Sequence, residues 1–305
     1  MRVATSGAES RIFPKSHPST TLNRWGWIAA LVAPLTWGWT GVFVRMLDLS
    51  PPTIITGRLF IAFAAFVPWL LMRREGFREA FRTPLTVLMG AYYVLATEAF
   101  VYAPVVDVTL VIGASPIIVL IIERLRGGTV SRRALSGAGL SVVGLTIFLG
   151  FDASFGHDRL IGDLFAFGAS TVSAGYAIGM RARAVSGRAV DPICSTAGAC
   201  LIGALMGCVL VLVEPSTMSS TMAIRNIGIL LPLGLVSTAM PTLAFSIAST
   251  CLPALVTTSF RLLTPFCSAL FAGWVLKEWP GPEAIAGALL TITGLSFILR
   301  SSGVR

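Results

Sequence analysis

The charged residues of this chain fall in short clusters that separate long apolar runs, and this arrangement constrains the fold more than any single motif. Soluble domains average about 25% charged residues. Here Asp, Glu, Lys and Arg make up 12% of 305 residues, against 55% apolar. A helix needs about 20 apolar residues to cross roughly 30 Å of hydrocarbon. We count ten such segments, at 26–45, 52–72, 85–103, 106–123, 134–151, 160–180, 192–213, 226–247, 253–275 and 281–299. None shows the roughly ten-residue alternation of a barrel strand. The expected fold is an all-α membrane protein with ten transmembrane helices, preceded by a polar cytoplasmic tail at 1–24. That tail lacks the apolar stretch of a signal peptide.

Basic residues set the orientation, because cytoplasmic connections are enriched in Lys and Arg. With the amino terminus inside, 17 of the 23 basic residues fall on the cytoplasmic side and four outside. Both termini are therefore expected in the cytoplasm and the chain in the cytoplasmic (inner) membrane. Trp25 and Trp27, and Trp274 and Trp279, sit where interfacial anchors belong. The net charge of +9 belongs to these connections, not to one soluble face, so the expected partners are a small-molecule substrate and the lipid bilayer, with no nucleic acid. The chain is expected as a monomer or a homodimer.

The two halves resemble each other. Gly26-Trp-Ile-Ala-Ala matches Gly162-Asp-Leu-Phe-Ala, Ser115-Pro116 matches Thr264-Pro265, and Leu135-Ser-Gly-Ala-Gly-Leu-Ser-Val-Val-Gly-Leu145 parallels Ile285-Ala-Gly-Ala-Leu-Leu-Thr-Ile-Thr-Gly-Leu295. The repeats are placed at 25–151 and 160–299. Five spans per copy is an odd number, so the second copy is expected inverted, an architecture common among secondary transporters. Pro116 and Pro265 then occupy matching positions, where a proline kinks a helix and serves gating.

In Trp37-Gly-Trp-Thr-Gly-Val-Phe, Gly57-Arg-Leu-Phe-Ile-Ala and Leu262-Leu-Thr-Pro-Phe-Cys-Ser-Ala-Leu, followed by Leu276-Lys-Glu and Gly287, the chain resembles the EamA type of the drug/metabolite transporter superfamily. The resemblance runs from about residue 27 to 299. It implies ten spans, alternating-access transport or export of a small metabolite or drug-like molecule, and no ATP-hydrolysing domain. Lys277 stands where that family usually carries glycine before Glu278, and Gly128 occupies the corresponding acidic position of the first repeat.

Charges inside spans are the sharpest clues, since a central Arg or Asp costs about 2.5–3.5 kcal/mol to insert. Arg58 and Glu98 lie at similar depth and are expected to pair or to share a polar cavity, either as a structural tie or on a substrate path. Glu98 is also a candidate proton-coupling carboxylate. Arg261 lies eight residues into the ninth segment, roughly 12 Å deep, where snorkelling is stretched; facing a cavity, it favours a carboxylate or phosphate on the substrate. Trp37 and Trp39, two apart on a helix, point to different sides, one towards the cavity. Tyr93 and Tyr176 are further cavity candidates, as are Tyr92 and Tyr102. The chain has no nucleotide-binding loop and no Ser/His/Asp or His-Glu-x-x-His array, so no enzyme activity, cofactor or metal is expected. The five cysteines lack zinc-ligand spacing. A non-transporting membrane scaffold or receptor is the alternative reading.

Overall fold

The computed structural model describes residues 20–103, 105–149, 157–213, 224–277, 279 and 281–301. Among these the chain is helical throughout, with no strand. In chain order the first half holds α1 (Thr20–Trp37), α2 (Thr40–Arg45), α3 (Pro51–Met72), α4 (Arg74–Phe81), α5 (Pro84–Tyr102), α6 (Val105–Gly113), α7 (Ser115–Leu125) and α8 (Arg132–Leu149). The second half holds α9 (His157–Val185), α10 (Pro192–Val213), α11 (Ile224–Gly234), α12 (Met240–Cys251), α13 (Ala254–Phe260), α14 (Thr264–Leu276) and α15 (Pro282–Ser301). The first helix starts at Thr20, inside the expected tail; the rest of that tail, and Glu278, lie outside the described residues.

Six stretches among the described residues are long and apolar enough to cross a membrane: Arg24–Val44, Pro51–Met72, Pro192–Val213, Arg225–Cys251, Ala254–Val275 and Ala284–Ser301. The other expected spans correspond to α5, to α6 with α7, to α8 and to α9. Large apolar side chains such as Trp25, Phe60, Trp69, Leu164 and Leu212 face outward, whereas alanine, serine and threonine dominate the fully buried positions. Small residues inside and large ones outside is the packing of helices in lipid. Trp25 and Trp274 are exposed, as anchors must be. Trp27 departs from that expectation, because its ring packs edge-on against Phe260 with centroids 5.7 Å apart.

Proline explains two helix breaks. A proline cannot donate to the carbonyl four residues back, but it is tolerated in a first turn, where that donor has no helical partner. At Pro116 the helix stops after Gly113 and restarts at Ser115. At Pro265 the break is a 3-10 turn, Arg261–Leu263, before α14 restarts at Thr264. Both prolines thus open a new helix rather than kinking a continuous one. Between α11 and α12 the segment Leu235–Ala239 is wound as a π-helix, and Thr238 Oγ1 donates to Leu233 O at 2.9 Å.

Helices α8 and α15 meet backbone to backbone. A Cβ on Gly137 would lie 2.7 Å from Gly294 O, and one on Gly144 would lie 2.5 Å from Thr291 N. At the centre Ser141 Oγ donates to Thr291 O and Thr291 Oγ1 donates to Ser141 O, at 3.2 and 3.3 Å. Early residues of one helix face late residues of the other, so the pair is antiparallel. The contacts also respect the internal repeat: Gly137 and Gly287, Ser141 and Thr291, and Gly144 and Gly294 are counterparts in sequence.

Elsewhere, contacts sort the connections into two groups. Arg73, between α3 and α4, pairs with Asp191 before α10, and Arg183 near the end of α9 reaches Glu79 of α4 at 3.6 Å. At other ends, Arg225 of α11 lies 3.9 Å from Asp48 and donates to Met46 O at 3.3 Å. Gly162 of α9 packs on Ala103 after α5, where a Cβ would fall 2.4 Å away.

Candidate functional site

The 3-10 turn that precedes Pro265 begins at Arg261. Its side chain is buried at 6% exposure. The guanidinium lies 4.8 Å from the ring centroids of Trp37 (α1) and Tyr92 (α5), and 5.2 Å from that of Phe245 (α12). Arg261 Nη2 donates to Tyr92 Oη at 2.7 Å, while Nη1 is buried without a hydrogen-bond partner. Aromatic faces attract a cation through their quadrupoles, so this charge is held by π-systems and one neutral hydroxyl.

A second arginine stands beside the first. Arg58 of α3 sits over the ring of Tyr93, 5.6 Å from its centroid, with Nε buried and unpartnered. Its other ionisable neighbours are Tyr92 and Cys200 of α10. Tyr92 and Tyr93 touch edge-to-face at 5.3 Å, so adjacent residues of α5 each carry one of the two cations. Arg58, expected to pair with Glu98 or to share a polar cavity with it, has an aromatic partner in Tyr93. Glu98 is half-buried and engaged in an interaction, and lies five residues beyond Tyr93, roughly 7.5 Å along the helix.

Around the arginines runs a hydroxyl network centred on α12. Tyr93 Oη hydrogen-bonds Thr242 Oγ1. Thr242 donates its own proton to Thr238 O at 2.5 Å, so Tyr93 is the donor of the pair. Tyr176 Oη of α9 donates to Ser246 Oγ at 2.8 Å and is 3.1 Å from Ser195 Oγ. Thr40 Oγ1 meets Ser237 Oγ of the π-helical segment at 2.5 Å. A π-helical turn displaces its residues from helical register and is frequent at functional sites; here it precedes the face bearing Thr242, Phe245 and Ser246.

The structure thus gathers Trp37, Arg58, Tyr92, Tyr93, Tyr176 and Arg261 from the sequence candidates. Trp39 points away, stacked on Phe271 at 4.1 Å and on Phe43 at 5.7 Å, the opposite orientation expected of residues two apart. Pro116 and Pro265 each stand in the first turn of a helix, and Tyr102 stacks on Phe165 at 6.0 Å. Sequence reasoning passed over Phe245, Thr242, Ser246 and Cys200. Their signal was the hydroxyl series Thr238, Thr242 and Ser246, spaced by four and so lying along one helix face. Trp37, Tyr92, Tyr93, Tyr176, Phe245 and Arg261 are all buried. Clefts of about 560 and 470 Å³ open at the corner between α3 and α4, beside Arg73, Arg74 and Phe77. No group of three potential metal ligands occurs among the described residues.

The sequence model of the EamA-like transporter family matches residues 24–150 and again residues 160–300. A solved structure titled "Crystal structure of protein" covers 94% of this chain and 99% of its own, with a TM-score of 0.74 and 18% identity, which makes it alike in fold. No curated protein matches the chain.

Proposed function

The chain belongs to the EamA-like transporter family, which both of its halves match, and from that premise we propose that it is a secondary transporter moving a small molecule across the cytoplasmic membrane by alternating access. In this reading ten spans form two inverted five-helix repeats with both termini in the cytoplasm. The observation that carries it is the antiparallel contact of α8 and α15, in which repeat-related residues exchange places about Ser141 and Thr291. A two-fold axis in the membrane plane gives that pattern, and such axes relate the halves of inverted-repeat transporters, with substrate held near the midplane.

Two further observations support it. The arginine–aromatic cluster draws on α1, α3 and α5 of the first repeat and α12 and Arg261 of the second, where a site between repeats belongs. The grouped connections agree with ten crossings: the α3–α4 corner meets the α9–α10 turn on the arginine-rich side, and Asp48 meets Arg225 on the other.

Cys200, fully buried beside Arg58, provides the test. A variant keeping only this cysteine is reconstituted and treated with a membrane-impermeant thiol reagent from either face. Alternating access requires reaction from both sides, never simultaneously along an open path for small ions. Reaction from neither face under any condition, or from one face alone, returns the protein to the scaffold reading.

A further inference from the structure

Resting on the transporter reading above, we infer that the substrate is a small organic anion whose carboxylate or phosphate oxygen is received by Arg261, with Arg58 as a second cation nearby. A guanidinium presents two kinds of surface. Its faces accept aromatic rings, and its edge carries N–H donors in a fixed fork. Around Arg261 the ring centroids of Trp37, Tyr92 and Phe245 lie 4.8–5.2 Å from the guanidinium carbon, whereas its donors are not all used: Nη2 is engaged by Tyr92 and Nη1, buried, donates to nothing. A buried donor without an acceptor is costly and rare, and all the groups that hold this one are neutral.

The fold itself does not require the charge. Counting back four residues from each repeat proline, Arg261 corresponds to Ile112. The first-repeat break forms with isoleucine at that position, so a helix interruption of this kind needs no arginine. Across the Tyr92–Tyr93 pair, Arg58 repeats the pattern, with an aromatic face beneath it and a buried Nε without a partner. By contrast, the arginines that pair with carboxylates across elements, Arg73, Arg183 and Arg225, lie at the ends of the helices. A buried cation and a half-buried one, each with a buried donor left open and walled by tryptophan, tyrosine and phenylalanine, describe a receptor for one anionic oxygen group on an apolar body.

The experiment uses the purified full chain in detergent at constant ionic strength, with benzoate, phenyl phosphate and benzamide as probes. Thermal unfolding is followed over a concentration series of each. At least one of the two anions is expected to raise Tm saturably, and benzamide, the neutral counterpart of benzoate, is expected to leave it unchanged; the stronger anion identifies carboxylate or phosphate as the group received. Arg261→Gln should weaken that anion at least tenfold. Tyr92→Phe, which releases Nη2 for the ligand, should keep its affinity within threefold or tighten it, an outcome that a purely structural arginine does not produce. Where Arg261→Gln fails to fold, Arg58→Gln serves instead, with at least a threefold loss expected. Binding of neither anion, equal binding of benzamide and benzoate, or an Arg261→Gln variant that binds like the wild type overturns the inference. Alternating reactivity of Cys200 without anion binding would remove the substrate class and leave the transporter; anion binding dependent on Arg261 without that reactivity would do the reverse.

Discussion

At the scale of single residues, the most consequential detail outside the site is Lys277. It closes α14 in the left-handed region, with φ of 62°, and is the one non-glycine residue with positive φ among those described. Its counterpart in the first repeat, Gly127, takes the same conformation after α7, with φ of 81°. A side chain in that region suffers a clash that glycine escapes, at roughly 1–2 kcal/mol, partly offset by the greater chain entropy glycine loses on folding. Lys277→Gly is therefore expected to stabilise the protein by about 1 kcal/mol, seen as a higher Tm in detergent; an unchanged or lower Tm would show that the lysine side chain contributes more than its backbone costs. Both arginines of the cluster were legible in the sequence, because a charge inside an apolar run is conspicuous. Their partners were not. Depth placed Arg58 level with Glu98, but rotation about the helix axes decides what a side chain touches, and depth alone gave no sign that Arg58 lies over the ring of Tyr93.

Among elements, helix discontinuities position the chemistry. The Ser115-Pro116 and Thr264-Pro265 pairs gave the breaks in the fourth and ninth segments openly, since the missing amide of proline is written in the chain. The π-helical turn at Leu235–Ala239 was hidden, because its cause is a packing choice with no residue type unique to it. The contact of α8 with α15 lies between these cases. The glycines are plain in the sequence, yet only the fold shows which of them meet. A Cβ on Gly287 would stand 2.4 Å from Phe148 N and 2.6 Å from Gly144 O, whereas one on Gly139 of the same interface helix pair would meet nothing within 4 Å. Backbone cannot step aside, so Gly287→Ala should destabilise by about 1–3 kcal/mol, the range for overpacking. Gly139→Ala should gain about 0.5–1 kcal/mol from helix propensity. Unfolding in detergent with increasing denaturant reads both; equal midpoints for the two variants would mean that α8 and α15 do not pack on these glycines.

For the whole molecule, the ion pairs at the helix ends differ between the two groups of connections. The arginine-rich side is tied by Arg73 to Asp191 and by Arg183 to Glu79. Asp191 also caps α10, with Oδ1 accepting from Ile193 N at 2.8 Å and Cys194 N at 3.4 Å, so one carboxylate fixes a helix start and clasps the α3–α4 corner. On the opposite side, the Arg225–Asp48 pair is looser at 3.9 Å, with side chains 68% and 82% exposed. Exposed ion pairs contribute about 0–1 kcal/mol, least where water reaches both partners. Alternating access then makes an asymmetric prediction, because an interaction present in only one state shifts populations by its differential energy. Arg73→Gln removes the clasp while leaving the α10 cap intact. Through a contribution of about 0.5–1 kcal/mol, it should raise reaction of Cys200 from the cytoplasmic face roughly twofold to fivefold, and lower it from the other face. Arg225→Gln should move the balance the other way by a smaller factor. Rates measured on single-cysteine variants in oriented vesicles decide the matter. If Arg73→Gln speeds labelling equally from both faces, the residue stabilises the packed bundle as a whole, and the α3–α4 corner is not a gate.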